Sequence, residues 1–273
     1  MIELLQRIVA WLMNRIRVNQ IQRTTRDGLP VILKRRRFGG SVVIWFGNRF
    51  LSLAGSGIVM FVRARDWMAW ETHCSQLLYP DRPTVTIFPG KAVCLPEVPG
   101  FSLRQLLHRR ESTLRAFTAA ARELRRVHYL PCSAFQAAWS HGDLHLDNIQ
   151  YDSATDQATL IDFDTRHELG LAQTQRHADD LKVMLLELIS MADDQWIQPA
   201  TTLIREYDDA SVLDELSRQL FVPRGFAKIL WFTRTNGGST AQTDQRLKRL
   251  REIIQQHSAT GCMPHSASND SLG

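Results

Sequence analysis

The chain has 273 residues, 44% of them hydrophobic and 22% charged. That is the balance of an ordinary globular protein, long enough for one large domain or two small lobes sharing a cleft. A net charge of +5 and a pI near 9.3 favour an anionic partner without choosing among nucleotide, nucleic acid, phospholipid and lipopolysaccharide. The four cysteines (Cys74, Cys94, Cys132 and Cys262) are scattered and form no CxxC pair, which argues against a disulfide framework or zinc knuckle and for a reducing cytoplasm.

Residues 2–17 are predicted as a helix, with Leu5, Ile8, Val9, Leu12 and Ile16 on one face. That face docks on its own domain or, given Arg7, Arg15 and Arg17, lies on a membrane surface. Glu3, Gln6 and Arg7 break the apolar core that a signal peptide needs. The nearest approach to a membrane span, Ser41–Val62, is interrupted by Asn48, Arg49 and several glycines. Val18–Thr25 and Leu29–Arg35 flank Asp27-Gly28, a strong hairpin signal. Lys34 then opens a basic run, Lys34-Arg35-Arg36-Arg37, that meets Phe38-Gly39-Gly40.

Ser41–Leu53 is apolar and aromatic, residues 54–57 form a turn, and Ile58–Val62 is a short strand. A helix is predicted over Arg65–Leu78, with Trp67, Trp70, Cys74 and Leu77 on one face and Glu71 near its middle. Val85–Phe88 and Ala92–Leu95 are strands around Pro89-Gly90, and residues 96–100 connect two lobes. Ser102 caps a short helix over Leu103–His108. Ser112 caps a long one to Tyr129, with Leu114, Phe117, Ala121, Leu124 and Val127 facing inward. Further helices are predicted over residues 177–191, 196–207, 211–219 and 241–257. Strands followed by helices indicate an α+β protein. Its parts are an N-terminal lobe with a leading amphipathic helix (1–97), a C-terminal catalytic lobe (98–257) and a disordered tail (258–273).

The chemistry is concentrated in His141-Gly142-Asp143-Leu144-His145-Leu146-Asp147-Asn148-Ile149. Asp143 and Asn148 stand five apart, the spacing of a kinase catalytic loop. A β-run, Ala158–Ile161, then delivers Asp162-Phe163-Asp164, the position of a kinase D-F-G with aspartate in place of glycine. Phosphoryl transfer asks a protein mainly for positioning and charge neutralisation. In that chemistry Asp143 orients the proton of an acceptor hydroxyl. Asn148 and Asp162 offer oxygens to Mg²⁺. Lys34 is the candidate phosphate-binding lysine and Glu71 its helix partner. His128 and His141 are assigned structural roles. Asp179 or Asp180 is expected to be buried and to brace the loop.

The segment H-G-D-L-H-x-x-N-I resembles the loop of aminoglycoside and choline kinase relatives and other atypical kinases. Leu160-Ile161-Asp162-Phe163-Asp164 resembles the corresponding strand of the lipopolysaccharide kinases of the Kdo kinase/WaaP family. So do the basic segment ending in Phe38-Gly39-Gly40 and the later Asn48-Arg49-Phe50-Leu51. The resemblance spans about residues 29–190 and implies a bilobal protein-kinase-like fold. It implies ATP and Mg²⁺ as cofactors, with Glu97 and Val98 of the connector joining Lys34 and Glu71 at the nucleotide. The implied acceptor is an anionic sugar or lipid-linked hydroxyl, met at the cytoplasmic face of the inner membrane through peripheral contact; no nucleic acid partner is expected. Three departures stand out. No glycine-rich loop precedes Lys34, Thr165-Arg166 follows the second aspartate where the family usually has Arg-Gly, and the stretch from His128 to His141 is long.

Three competing readings are an atypical serine/threonine protein kinase, a catalytically weak pseudokinase scaffold and a metal-dependent hydrolase. Asp162 and Asp179 stand only seventeen positions apart, which leaves little platform for a peptide. The hydrolase would use His141, Asp143, His145 and Asp147 as alternating ligands.

Overall fold

A computed structural model describes residues 18–261, apart from 84, 89–91, 112, 192–194, 224, 226, 229–230 and 232–239. The helix expected over 2–17, the Ser112 cap and Cys262 lie outside the described residues.

Strands β1 (Asn19–Arg26) and β2 (Leu29–Arg36) form the expected hairpin. Asp27 (φ 50°) and Gly28 (φ 79°) supply the two positive φ angles of its two-residue turn. Its register sets Asn19 opposite Arg36 and Ile21 opposite Lys34. Strands β4 (Thr86–Phe88) and β5 (Ala92–Pro96) complete a sheet of order β1-β2-β5-β4. Helix α2 (Ala64–Leu78) lies against it and buries Trp67, Trp70, Glu71, Cys74 and Leu78, while Leu77 is only partly buried. Trp67 and Met68 meet Val93 of β5 and Val85 just before β4. Each such apolar side chain contributes about 1.5–3 kcal/mol by leaving water.

The apolar run after β2 folds as helix α1 (Gly40–Leu53). Its contact side is held by Asn48, whose Nδ2 donates to Met60 O (2.8 Å) and whose Oδ1 accepts from Met60 N (2.9 Å). The strand expected over Ile58–Val62 is shorter, β3 (Ile58–Met60). It pairs with none of the four strands above. Its partner is β11 (Thr165–His167), immediately after the second aspartate of Asp162-Phe163-Asp164.

The connector crosses into the second lobe at Gly100, whose φ is 98°. A β-carbon there would stand 2.1 Å from Tyr151 O, so no other residue fits that close approach. Strand β6 (Phe101–Ser102) then pairs with β9 (Ile149–Asp152), which pairs with β10 (Gln157–Leu160). Ser102 caps α3 (Leu103–Arg109) as expected. Its Oγ accepts from Gln105 N, and Gln105 Oε1 accepts from Ser102 N.

Helix α4 (Thr113–His128) buries Phe117, Ala121, Leu124 and Val127. Leu114, expected to face inward, is 45% exposed instead. It sits in the first turn and opens onto a surface groove beside Arg115 and Arg82. A small ribbon, β7 (Pro131–Cys132) with β8 (Ala137–Ala138), fills the long stretch before the loop at residues 141–148.

Helices α5 (Gln173–Leu188), α6 (Ile197–Tyr207), α7 (Ala210–Gln219) and α8 (Thr240–Gly261) close the core around Phe117, Trp139 and Leu181. Helix α8 continues through residues 258–261, the first part of the expected tail; the rest lies outside the described residues. The architecture is α+β, a sheet-rich N-terminal lobe on a helical C-terminal lobe.

Candidate active site

The loop 141–148 is held from below by one carboxylate. Asp180, fully buried in the middle of α5, accepts from His141 N (2.8 Å), Gly142 N (2.9 Å) and His128 Nε2 (3.1 Å). His128 Nδ1 meets the Tyr207 hydroxyl at 2.8 Å. The bracing residue is thus Asp180; Asp179 pairs with Lys182 and His167. Gly142 has φ 91°, and a β-carbon there would lie 2.9 Å from the carbonyl carbon of Arg166. The loop therefore passes against the strand that follows Asp164. His141 Nε2 bonds Ile161 O (3.0 Å), which ties the start of the loop to the residue before Asp162. Both histidines are buried and structural, but only His141 makes the carbonyl hydrogen bond expected of them; His128 bonds the side chains of Asp180 and Tyr207.

Within the loop, Asn148 Nδ2 donates to Asp143 O (2.9 Å), which turns Oδ1 of the amide away from the loop backbone. Asn148 O accepts from Ile161 N (2.9 Å), so Asn148 and Asp162 emerge from adjacent strand ends. Asp147 points elsewhere: Ser102 Oγ and Arg104 Nε bond its carboxylate, and Arg104 also grips Glu187, which accepts from Leu146 N. His141 and Asp147 are thereby committed to separate partners, and the four alternating residues do not converge as ligands of one metal.

The converging groups lie above the loop. Lys34, 3% exposed, ends among three carboxylates: Glu71 at 2.9 Å, Asp164 at 2.7 Å, and Asp162. Asp162 holds φ 69°, an unusual angle for a non-glycine residue and the kind of local strain that clusters at functional sites. Asp164 also accepts from Asn19 Nδ2 and Trp67 Nε1, both at 2.6 Å. Burial works against the charge of Lys34, but Asp162, Asp164 and Glu71 hold its pKa well above the ordinary value. Burial pushes Glu71 up to about 7; Lys34 opposes that rise, while Asp164 and Asp162 add to it. Burial also raises Asp164, reinforced by Asp162. For Asp162 burial is outweighed by Lys34, and its pKa falls.

Sequence reasoning thus found Lys34, Glu71 and Asp162, which meet, and Asn148, which stands at the adjoining strand end. It missed Asn19, Trp67 and the role of Asp164. The second aspartate of the LIDFD run was the available signal for Asp164; nothing local marked the other two. Glu97 and Val98 lie at the lobe junction. Glu97 N extends the sheet to Pro30 O (3.0 Å), and the Glu97 carboxylate pairs with Arg23 (3.1 Å). Both residues line a cavity of about 560 Å³ beside Pro30 and Thr155, whose lining includes none of the converging carboxylates.

Two solved structures share part of this chain course. One is a Plasmodium vivax ethanolamine kinase, with TM-score 0.43 and 10% identity over 94% of this chain and 85% of that one. The other is a Mycobacterium tuberculosis protein solved with erythromycin, with TM-score 0.40 and 15% identity over 88% of this chain and 59% of that one. No family model and no curated protein sequence matches the chain.

Asp162 and Asp164 offer oxygens of the kind a hard divalent cation takes, beside the seat of the Lys34 ammonium. Oxygens of Glu71, Asp162 and Asp164 lie within 4.8 Å of one another, and these three carboxylates face the single ammonium of Lys34. Mg²⁺ favours such oxygens, commonly one or two carboxylates completed by phosphates.

The buried support of the loop sets an acid limit on stability. Burial alone raises the Asp180 pKa, but His167 and the hydrogen bond from His128 more than reverse this and bring it to about 2. His177, stacked on His128 at 3.9 Å, is lowered to about 3 by burial and by that neighbour. Both folded-state values lie below the unfolded ones. Stability is therefore lost as pH falls, from about 6.5 to 3 through His177 and from about 4 to 2 through Asp180. Thermal melts between pH 7 and pH 2.5 are expected to show this decline, with about 2 kcal/mol of it from Asp180. Asp180→Asn is expected to melt lower at pH 7 and to respond less to acid below pH 4. An unchanged acid response in that variant would show that Asp180 is not the titrating brace.

Proposed function

We propose that this chain is an ATP- and Mg²⁺-dependent phosphotransferase acting on a hydroxyl of an anionic sugar or lipid-linked acceptor. The observation that carries the reading is the meeting of Lys34, Glu71 and Asp162 above a loop that holds Asp143 and Asn148 five residues apart. The resemblance to the lipopolysaccharide kinases supports the acceptor class, and the short segment between Asp162 and Asp179 favours it over a peptide.

Lys34 is positioned to meet nucleotide phosphates, with Glu71 holding its direction. Asp162 and Asn148 would hold Mg²⁺, with Asp164 as a further oxygen donor within reach. The cation neutralises charge on the phosphates when bound. Asp143 accepts a hydrogen bond from the acceptor hydroxyl and takes its proton as the oxygen attacks the terminal phosphorus of ATP; ADP leaves. Asn148 and His145 bond the Asp143 carbonyl and so fix the backbone from which that carboxylate projects. Asp164 ties β1 and α2 to the end of the catalytic strand and fixes Trp67 beside Lys34. In that role it does part of what a glycine-rich loop does elsewhere, namely closing the N-terminal lobe on the phosphate region.

The test is transfer from γ-labelled ATP in the presence of Mg²⁺ into a Gram-negative envelope extract, separated into lipid, protein and water-soluble fractions. Label is expected in the lipopolysaccharide fraction. Label confined to protein bands would favour an atypical protein kinase. No transfer together with no ATP binding would leave a kinase-shaped scaffold.

A further inference from the structure

Helix α1 is apolar on two opposite sides, yet only one side is covered. Gly40, Ile44 and Leu51 are buried toward the protein, in line with the Asn48 anchor. The other side carries Val42 (61% exposed), Trp45 (47%), Phe46 (63%) and Leu53 (69%), and Phe38 projects fully just before the helix. A helix apolar all round is normally enclosed by protein or by lipid. This one has 14 residues, short of the roughly 20 that cross a bilayer, and no helix among the described residues is long and apolar enough to do so.

The charge around this face has one sign. Residues 29–65 contain seven lysines and arginines and no aspartate or glutamate. Arg35, Arg37 and Arg49 are exposed, and the Arg49 guanidinium lies 5.5 Å from the centre of the Trp45 ring. Aromatic rings, aliphatic side chains and arginines on one exposed helix match the interface of an anionic bilayer, where rings sit at headgroup depth and cations meet lipid phosphates. A nucleic acid would meet the arginines but leave Val42 and Leu53 in water.

We infer that α1 is a peripheral anchor, lying flat on an anionic lipid surface with Phe38, Val42, Phe46 and Leu53 inserted. Its support, β3, pairs with β11 directly after Asp164, so the docked helix brings the carboxylate site close to the bilayer plane. This deepens the lipid-linked acceptor reading by naming the surface that delivers the acceptor, and its test reads no phosphoryl transfer, so the two stand or fall separately.

The full chain is sedimented with vesicles of pure phosphatidylcholine and with vesicles containing phosphatidylglycerol. Binding is expected only to the anionic vesicles and should weaken as salt rises. The double variant Val42→Asp/Phe46→Asp is expected to lower partitioning on the order of tenfold or more. Arg37→Gln/Arg49→Gln should lower it too and flatten the salt dependence. All of these side chains are exposed, and unchanged circular dichroism would exclude misfolding. Failure to bind anionic vesicles would overturn the inference, as would binding that the α1 variants leave intact. A dimer dissolved by Val42→Asp/Phe46→Asp in a chain that ignores vesicles would also overturn it and assign the face to a second copy. RNA capture without vesicle binding would do the same for a nucleic acid.

Discussion

Replacing Asp143 with alanine or asparagine is expected to lower kcat for phosphoryl transfer by about 10²–10⁴-fold, the usual contribution of a positioned general base. The KM for ATP should change little, because the role proposed for Asp143 is at the acceptor and not at the nucleotide. Asp143 is half-buried, and the loop hydrogen bonds made by its backbone carbonyl and amide are ones that any residue retains. Asp162→Ala is expected to cost at least as much in rate but to act through the metal, so its deficit should narrow at raised Mg²⁺. Initial rates at varied ATP and varied Mg²⁺ separate the two. An Asp143→Asn enzyme retaining more than about a tenth of wild-type kcat would remove Asp143 from the reaction.

Lys34→Met is expected to destabilise the fold by about 3–5 kcal/mol, beyond its effect on nucleotide binding. Removing one partner of a buried ion pair leaves the other charge uncompensated, and Lys34 and Glu71 have side chains only 4% and 1% exposed. Asp164 also loses its ammonium partner, and Asp164 joins β1 through Asn19 and α2 through Trp67 to the segment between β10 and β11. Urea denaturation should show the loss as a lower midpoint. Glu71→Gln in the same chain should recover part of it, because the glutamine removes one of the carboxylates left without the ammonium. Mg²⁺ should stabilise Lys34→Met more than the parent, since the cation can enter the acidic cluster that the ammonium vacates. A Lys34→Met protein as stable as the parent would mean that the cluster does not hold the two lobes together.

What could be read along the chain was local. The hairpin followed from Asp27-Gly28, whose positive φ angles are a property of two adjacent residues. The cap of α3 followed from Ser102 and Gln105, three apart. The loop from His141 to Asn148 and the strand into Asp162 followed from spacing, because a loop and one hairpin present those side chains within a few residues of each other. Lys34 and Glu71 were legible only as candidates in the right order.

The rest was decided by contacts between distant parts of the chain. Asn19 reaches Asp164 across 145 positions and Trp67 reaches it across 97, and no local pattern marks either residue. The apolar run at residues 40–53 has too many hydrophobic residues for a period to show, so its folding as a helix rests on what covers it: Gly47 beside Met60, and Asn48 bonding both polar groups of that residue's backbone. Leu114 fits the inward face of α4 by spacing, yet it lies in the helix's first turn, beside a surface groove, and stays in water. The sequence by itself determined the order and spacing of Asp143, Asn148 and Asp162, since these depend only on residue type and short separations along the chain. Only the tertiary structure decided that a lysine from a strand, a glutamate from a helix and two aspartates from a distant turn share one buried point, because the pairing of opposite charges there depends on where the folded chain brings them.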